Sequence, residues 1–238
     1  MDMTPPDKPD DGKPPPTRDY EGMRKIVGDH ARLSLQSQAQ MTLTTSADAV
    51  QITTLQTTFS QDATLPRLTI LDFVVWAAAK NLKFFPRTNS CFHVPTEKII
   101  EFVLPTIGIA FDMPDGQKIP VIEYTHRLKL FALAERLRQL QNASETSIFA
   151  PEQHQNSTFT IYHLGSDTAE TSTPVNQYPQ TASLGFSAVK TRVFLSLTIN
   201  AQIVSEHEGA RFLRDIVHSL ENASTELAVL GMDESFYC

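Results

Sequence analysis

The sequence predicts an α+β fold, on three observations. Leu195, Leu197 and Ile199 alternate with Ser196, Thr198 and Asn200, the period of a half-buried strand. From Glu208 onward Ala210, Leu213, Ile216, Val217 and Leu220 recur at helical spacing, with Arg211, Arg214 and Asp215 between them. Upstream, alternating segments and amphipathic segments follow one another along the chain. The junction between the last strand and helix, Ala201–Glu206, is where an active-site turn is expected.

At 238 residues the chain reads as one domain with a tail. Its 41% hydrophobic content supplies a sizeable core. A net charge of −7 argues against non-specific binding to nucleic acid or anionic membrane. No window approaches the ~18 uninterrupted apolar residues of a membrane span; the longest candidate is Ile70–Ala79. The two cysteines, Cys91 and Cys238, have no metal-ligand spacing, so no metal site and no disulfide framework is expected. The first 19 residues hold six prolines and five aspartates and no apolar signal core. They read as a disordered leader, because so few apolar groups cannot offset the entropy of ordering. A reduced, cytoplasmic protein is the expectation, with the three Asn-x-Ser/Thr sequons as chance matches.

In order, the elements begin with a helix over Tyr20–Ser37, with Met23, Ile26, Val27, Leu33 and Leu35 as its apolar positions. A threonine-rich strand passes through Leu43, and a short helix covers Val50–Thr58. Arg67–Leu82 is the strongest helix, with Ile70, Phe73, Val74, Trp76 and Ala77 on its buried side and Asp72 in its first turn. Ile99–Val103 reads as a strand. Leu104–Ile122 reads as two strands around a Pro114-Asp115-Gly116 turn. Leu128–Asn142 is an amphipathic helix, 146–156 a polar loop, and Ser157–Gly165 a strand. The expected domain is 20–225, with a C-terminal tail from 226 to 238.

Several blocks in this order carry a resemblance: Met23-Arg24-Lys25, Phe85-Pro86-Arg87-Thr88-Asn89-Ser90, Ile107-Gly-Ile-Ala-Phe-Asp-Met-Pro-Asp-Gly116, Thr158-Phe-Thr-Ile-Tyr-His163, Pro174–Gly185 and Gly209-Ala-Arg-Phe-Leu213. Together they resemble the catalytic domain of the dihydrolipoyl acyltransferases of 2-oxoacid dehydrogenase complexes. These are relatives of chloramphenicol acetyltransferase, and the resemblance covers about Tyr20 to Ser224. It implies a mixed central sheet with helices packed on it and a homotrimer. After Val189 the family has a hairpin of a dozen or so residues; here only Lys190-Thr191-Arg192-Val193 stand in its place.

The resemblance also implies chemistry. Members move an acyl group between thiols. A histidine in H-x-x-x-D-G takes the thiol proton, worth roughly 10²–10⁴ in rate. A serine on the TISN strand donates to the oxyanion, worth about 10²–10³. Counted without gaps, Ala201 stands at the histidine, Ser205 at the aspartate, Glu206 at the glycine and Tyr162 at the serine. The signature chemistry is therefore missing, and the catalytic residues are unknown. His207, in the same junction, and His163, beside Tyr162, are the weak substitutes for a base; each is equally a surface histidine. Tyr162 could donate to an oxyanion or simply fill space. The resemblance implies a site assembled between neighbouring subunits of the trimer, and Tyr162, Asn200, Ala201 and Ser205 are the expected substrate-binding wall at that interface. Cys91 and His93 invite a nucleophile reading that lacks an orienting group. Arg24 and Lys25 could meet a phosphate of coenzyme A or form a solvated helix face.

Two functions follow. One is a stand-alone acyltransferase-like protein with a refitted pocket, acting on an acyl thioester or related small molecule, for example in a specialised biosynthetic pathway. Missing lipoyl and targeting segments favour it. Coenzyme A thioester is then a substrate, and no cofactor is held covalently. The other is a pseudo-acyltransferase serving as a structural or binding subunit of a 2-oxoacid dehydrogenase-type core.

Overall fold

The structure, a computed structural model, describes residues 16–113, 116–146, 156–164 and 169–229. Most of the expected leader, Pro114 and Asp115 of the expected turn, nearly all of the polar loop and the end of the tail lie outside them.

Among the described residues six α-helices and nine strands follow in chain order: α1 (Gly22–Ser37), β1 (Gln40–Asp48), α2 (Val50–Phe59), α3 (Ile70–Leu82), β2 (Ser90–His93), β3 (Lys98–Glu101), β4 (Ile107–Met113), β5 (Gly116–Lys118), β6 (Val121–Ile122), α4 (Leu130–Thr146), β7 (Phe159–His163), β8 (Ala182–Val189), β9 (Arg192–Asn200), α5 (Glu206–Glu221) and α6 (Ala223–Val229). Seven strands form one sheet, ordered β1-β9-β8-β7-β4-β5 with β6 also on β4, while β2 and β3 form a separate ribbon. The sheet is mixed, because β4, β7 and β8 run parallel and the other pairs antiparallel.

Register shows why the sheet has two chemically different faces. Side chains alternate across a strand, so one row of register partners shares one face. Leu43, Leu197, Leu184, Ile161 and Ile109 make one such row across β1, β9, β8, β7 and β4. The next row is Thr42, Thr198, Ser183, Thr160 and Gly108, on the opposite face. The aliphatic face joins the core formed with α3, α4 and α5, where Trp76, Phe73, Phe159 and Phe212 are fully buried. Phe212 meets Phe85 and Phe159 edge-on at centroid distances of 5.2 and 5.8 Å.

The hydroxyl face is buried as well. Ser196, Thr198 and Asn200 are 2%, 2% and 0% exposed, so β9 is buried on both faces from Leu195 to Asn200 rather than half-buried as its alternation predicts. What covers it is the connector 169–181, an extended segment with its own backbone groups to satisfy. Ser34 and Ser187 donate to the carbonyls of Asn176 and Glu170, and Ser183 donates to the Asn176 side chain. Alternating serine and threonine mimic a solvent-facing pattern while serving a peptide segment. Gly185 lets the connector lie close, since a Cβ there would stand 3.1 Å from Ser172 Oγ and 3.3 Å from Pro174 Cγ.

Three helices differ from expectation. α3 begins at Ile70, where Asp72 accepts hydrogen bonds from the Thr69 N–H (2.5 Å) and hydroxyl (2.9 Å), and it is buried nearly all round. In α1 only Ser34 is buried, and Met23, Ile26, Leu33 and Leu35 are exposed. In α5 the buried stripe is Gly209, Phe212, Leu213, Ile216 and Leu220, and Ala210 is exposed. α6 runs across residue 225: Leu227 joins the core and Glu226 pairs with Lys80 at 2.5 Å.

Phe212→Ala removes a ring that bridges α5 to the aliphatic face of the sheet. Expected is a loss of about 3–5 kcal/mol of unfolding free energy, measured by urea titration with an unchanged m-value.

Candidate functional site

The turn after β9 is built from local hydrogen bonds. Ala201 N–H donates to the Ala39 carbonyl at 2.9 Å, and the N–H groups of Ile203 and Val204 donate to Asn200 O at 2.9 Å each. The Asn200 side-chain carbonyl accepts from Gln202 N–H at 3.1 Å. Val204 is buried and anchors the turn; Ala201 and Gln202 are exposed.

Ser205 is the N-cap of α5: its hydroxyl accepts from Glu208 N–H at 3.2 Å. This is the placement in which serine stabilises a helix start, satisfying one of the first-turn N–H groups. Glu206 and Glu208 add negative charge at the positive end of the helix. His207 is exposed in the same turn.

Tyr162 lies on the hydroxyl face of β7, beneath the connector. Its hydroxyl donates to the Val175 carbonyl at 2.8 Å and accepts from Gln177 Nε2 at 2.6 Å. Burial pushes its pKa up to about 12, the Gln177 bond offsetting part of that rise. The one proton of this phenol is thus committed to a backbone acceptor. His163 projects from the opposite face and stacks on Phe186, centroids 4.7 Å apart at 15°. The residue is exposed, yet this packing desolvates the ring and holds its pKa below the ordinary histidine value.

Within one protomer Asn200, Ala201 and Ser205 share the turn after β9, and Tyr162 lies apart from them, which is compatible with the expected site shared between subunits. Tyr162 is register partner to Gly185, and Gly185 to Ser196, four residues before Asn200. Two strand spacings and four residues of rise separate Tyr162 from Asn200 by about 16 Å. Ser205 belongs to the helix start, and His163 faces away from Tyr162. Sequence pattern missed the Tyr162–Val175–Gln177 link, because partners 13 and 15 residues apart leave no local spacing to read. It also missed the cap, although Ser205 three residues before Glu208 is a capping-box spacing.

Cys91 is buried in β2, and burial raises its thiol pKa to about 11. His93 is exposed and bonds Thr96 Oγ1 at 2.7 Å. No activating contact joins the two, so a thiolate nucleophile is not supported there. Lys25 pairs with Asp29 at 2.8 Å on an exposed helix face, and Arg24 is exposed. Among the described residues no group of three or more His, Cys, Asp or Glu side chains could hold a metal, and no helix is long and apolar enough to cross a membrane.

Two outcomes test this geometry. Ser205→Ala should destabilise the fold by about 1 kcal/mol and Ser205→Asp should not, because both serine and aspartate cap a helix; thermal unfolding reads the difference. In a Cys238→Ser background the remaining thiol should react slowly with an aromatic disulfide reagent at pH 8 and quickly after unfolding, because its thiolate is disfavoured by burial.

Comparison with known proteins places this geometry. Residues 13–228 match the family model described as the catalytic domain of 2-oxoacid dehydrogenases acyltransferase. The acetyltransferase component of the acetoin cleaving system of Bacillus subtilis is 31% identical over 216 residues, covering 84% of this chain and 54% of the relative. The corresponding component of the pyruvate dehydrogenase complex of Mycobacterium bovis is 29% identical over 238 residues, 91% of this chain and 43% of the relative. The chain thus spans about half the length of these relatives. In structure it is similar to the dihydrolipoamide acetyltransferase of Azotobacter vinelandii, with a TM-score of 0.83, 23% identity, 94% of this chain and 100% of that one covered. Chloramphenicol acetyltransferase follows at TM-score 0.56 and 8% identity, with 81% of this chain and 94% of that one covered. The chain belongs to the 2-oxoacid dehydrogenase acyltransferase family and carries its catalytic-domain fold.

Proposed function

We propose that this chain is a pseudo-acyltransferase: a structural and binding subunit that keeps the family frame without its proton-transfer step. One observation carries the reading. At the position that resemblance assigns to the oxyanion donor, the Tyr162 hydroxyl donates to Val175 and lies under the connector. It has no second proton to offer a developing oxyanion. At the position assigned to the base stands the methyl group of Ala201, which accepts no proton. The position assigned to the aspartate is a helix cap.

Relatives with these names are components of acetoin-cleaving and pyruvate dehydrogenase systems, and one solved relative forms a cubic core of a multienzyme complex. Homo-oligomerisation, as a trimer or a larger core, is part of the proposal. The exposed Met23, Ile26, Leu33 and Leu35 of α1 support it, as apolar groups on a helix that buries only Ser34 in the protomer.

A second reading, the refitted enzyme acting on an acyl thioester or related small molecule, is favoured by the side chain of Asn200. Its amide nitrogen is buried beside the turn after β9 and has no hydrogen-bond acceptor among the described residues. A group of that kind is expected where a ligand completes a site.

Acetyl transfer from acetyl-coenzyme A to dihydrolipoamide tests the pseudo-acyltransferase reading. The expected kcat/KM lies at least about 10³-fold below that of a catalytically competent relative assayed alongside, the two losses not being additive. An Ala201→His, Tyr162→Ser double variant should raise it. Wild-type turnover within tenfold of the relative would refute the pseudo-acyltransferase reading.

A further inference from the structure

A cleft of about 190 Å³ opens to solvent where β4 and β7 begin and β6 ends, lined by Leu104, Pro105, Thr106, Glu123, Tyr124 and Asn156. None of these residues belongs to the turn after β9 or to the Tyr162 contacts. Sheet register places them. Ile107 pairs with Ile122 on one side and with Phe159 on the other, so Thr106 ends the ladder between Glu123 and Thr158. The Thr106 N–H donates to Thr158 Oγ1 at 3.0 Å, and its carbonyl accepts from the Thr158 N–H at 2.8 Å. Thr125 Oγ1 donates to the Pro105 carbonyl at 3.1 Å, which holds the residues after β6 against the same wall.

The backbone leaves the sheet on both sides of the cleft through left-handed residues, Tyr124 at φ 55° and Asn156 at φ 92°. Among the described residues four non-glycine residues have positive φ, and two of the four line this one cleft. Asparagine tolerates that region, whereas a bulky aromatic adopts it only at a cost. Strain of this kind collects at ligand sites, where the surrounding contacts hold it in place.

The lining also has chemistry to spare. The Glu123 carboxylate, the Thr106 hydroxyl and the Asn156 amide have no partner within the chain among the described residues. Glu123 carries the one formal charge of the lining, and Leu104, Pro105 and the Tyr124 ring supply apolar walls. The Arg127 guanidinium lies 5.3 Å from the centre of the Tyr124 ring and makes no ion pair with Glu123. That ring thus already attracts a cation. An ammonium group on a short apolar stem matches the set: its N–H groups meet the carboxylate, the hydroxyl and the amide oxygen, and its stem covers Leu104 and Pro105. An anion would be repelled by Glu123 and find no countercharge in the lining.

We propose that this cleft binds a small primary ammonium compound, with Glu123 as its countercharge and Tyr124 as its aromatic wall. No residue of the acyltransferase positions takes part, so the site stands apart from both readings above.

The test is a titration of the full, ¹⁵N-labelled chain near neutral pH with three probes of one shape: benzylammonium, benzyl alcohol and benzoate. Benzylammonium should bind with a Kd on the order of 1 mM, the range open to so few atoms. It should bind at least about 5-fold more tightly than benzyl alcohol at low ionic strength, and benzoate should not bind. Amide shifts should centre on Thr106, Tyr124 and Thr125. Glu123→Gln, at an exposed position, should bring benzylammonium down to the affinity of the alcohol. Tyr124→Leu keeps a side chain on the left-handed backbone and removes the ring; it should weaken both probes and leave the preference for the cation. Equal affinity of wild type for the cation and the alcohol would overturn the proposal. So would a preference retained in Glu123→Gln, shifts confined to other parts of the chain, or no binding up to about 20 mM. Acyl transfer plays no part in the readout, so failure here is distinct from failure of the pseudo-acyltransferase reading.

Discussion

An extended connector lying on a face of hydroxyl groups is the constraint on which the rest of this molecule depends. A peptide segment with no ladder of its own must find partners for its carbonyls and N–H groups before it can be buried. Ser34, Ser187 and Tyr162 donate to its carbonyls from α1 and from two strands of the sheet, and Gln40 Oε1 accepts the Asn176 N–H. Gly185 makes the approach possible. The aliphatic face could pack against helices in many arrangements. The hydroxyl face accepts one segment in one register, because each unpaired group would cost more than its bond contributes.

Much of this was legible in the sequence, because its periodicities are strong and local. The long run of α3, the leucine stripe of α4 and the alternation of β9 are properties of neighbours in the chain. The ordered blocks gave the family, which the match over residues 13–228 shows. Burial of Ser196 and Thr198 was not legible: a polar residue covered by another backbone has the same pattern as one facing water. The exposure of α1 is the converse case, since apolar residues at helical spacing do not say whether their cover belongs to the same chain.

The bonds made at the positions that the resemblance singled out were not legible in the sequence. Counting residues identified 162, 201 and 205 as the places to examine. It could not reveal that Tyr162 bonds Val175 and Gln177, or that Ser205 caps a helix, since those are facts of contact. The orphaned amide of Asn200 was named only as part of a wall. Its significance comes from comparison with Gln38, Gln40, Asn176 and Gln180, whose amides are all engaged.

The cap at Ser205 separates architecture from reactivity. Aspartate and serine begin helices about equally well, so exchanging one for the other leaves α5 where it was. The side chain at 201 is exposed and outside the hydrophobic core. The stability of the fold therefore places little demand on which side chain stands at 201, or on serine rather than aspartate at 205. The tyrosine is different: half-buried and doubly bonded, it cannot be exchanged for a smaller residue without releasing both the Val175 carbonyl and the Gln177 amide.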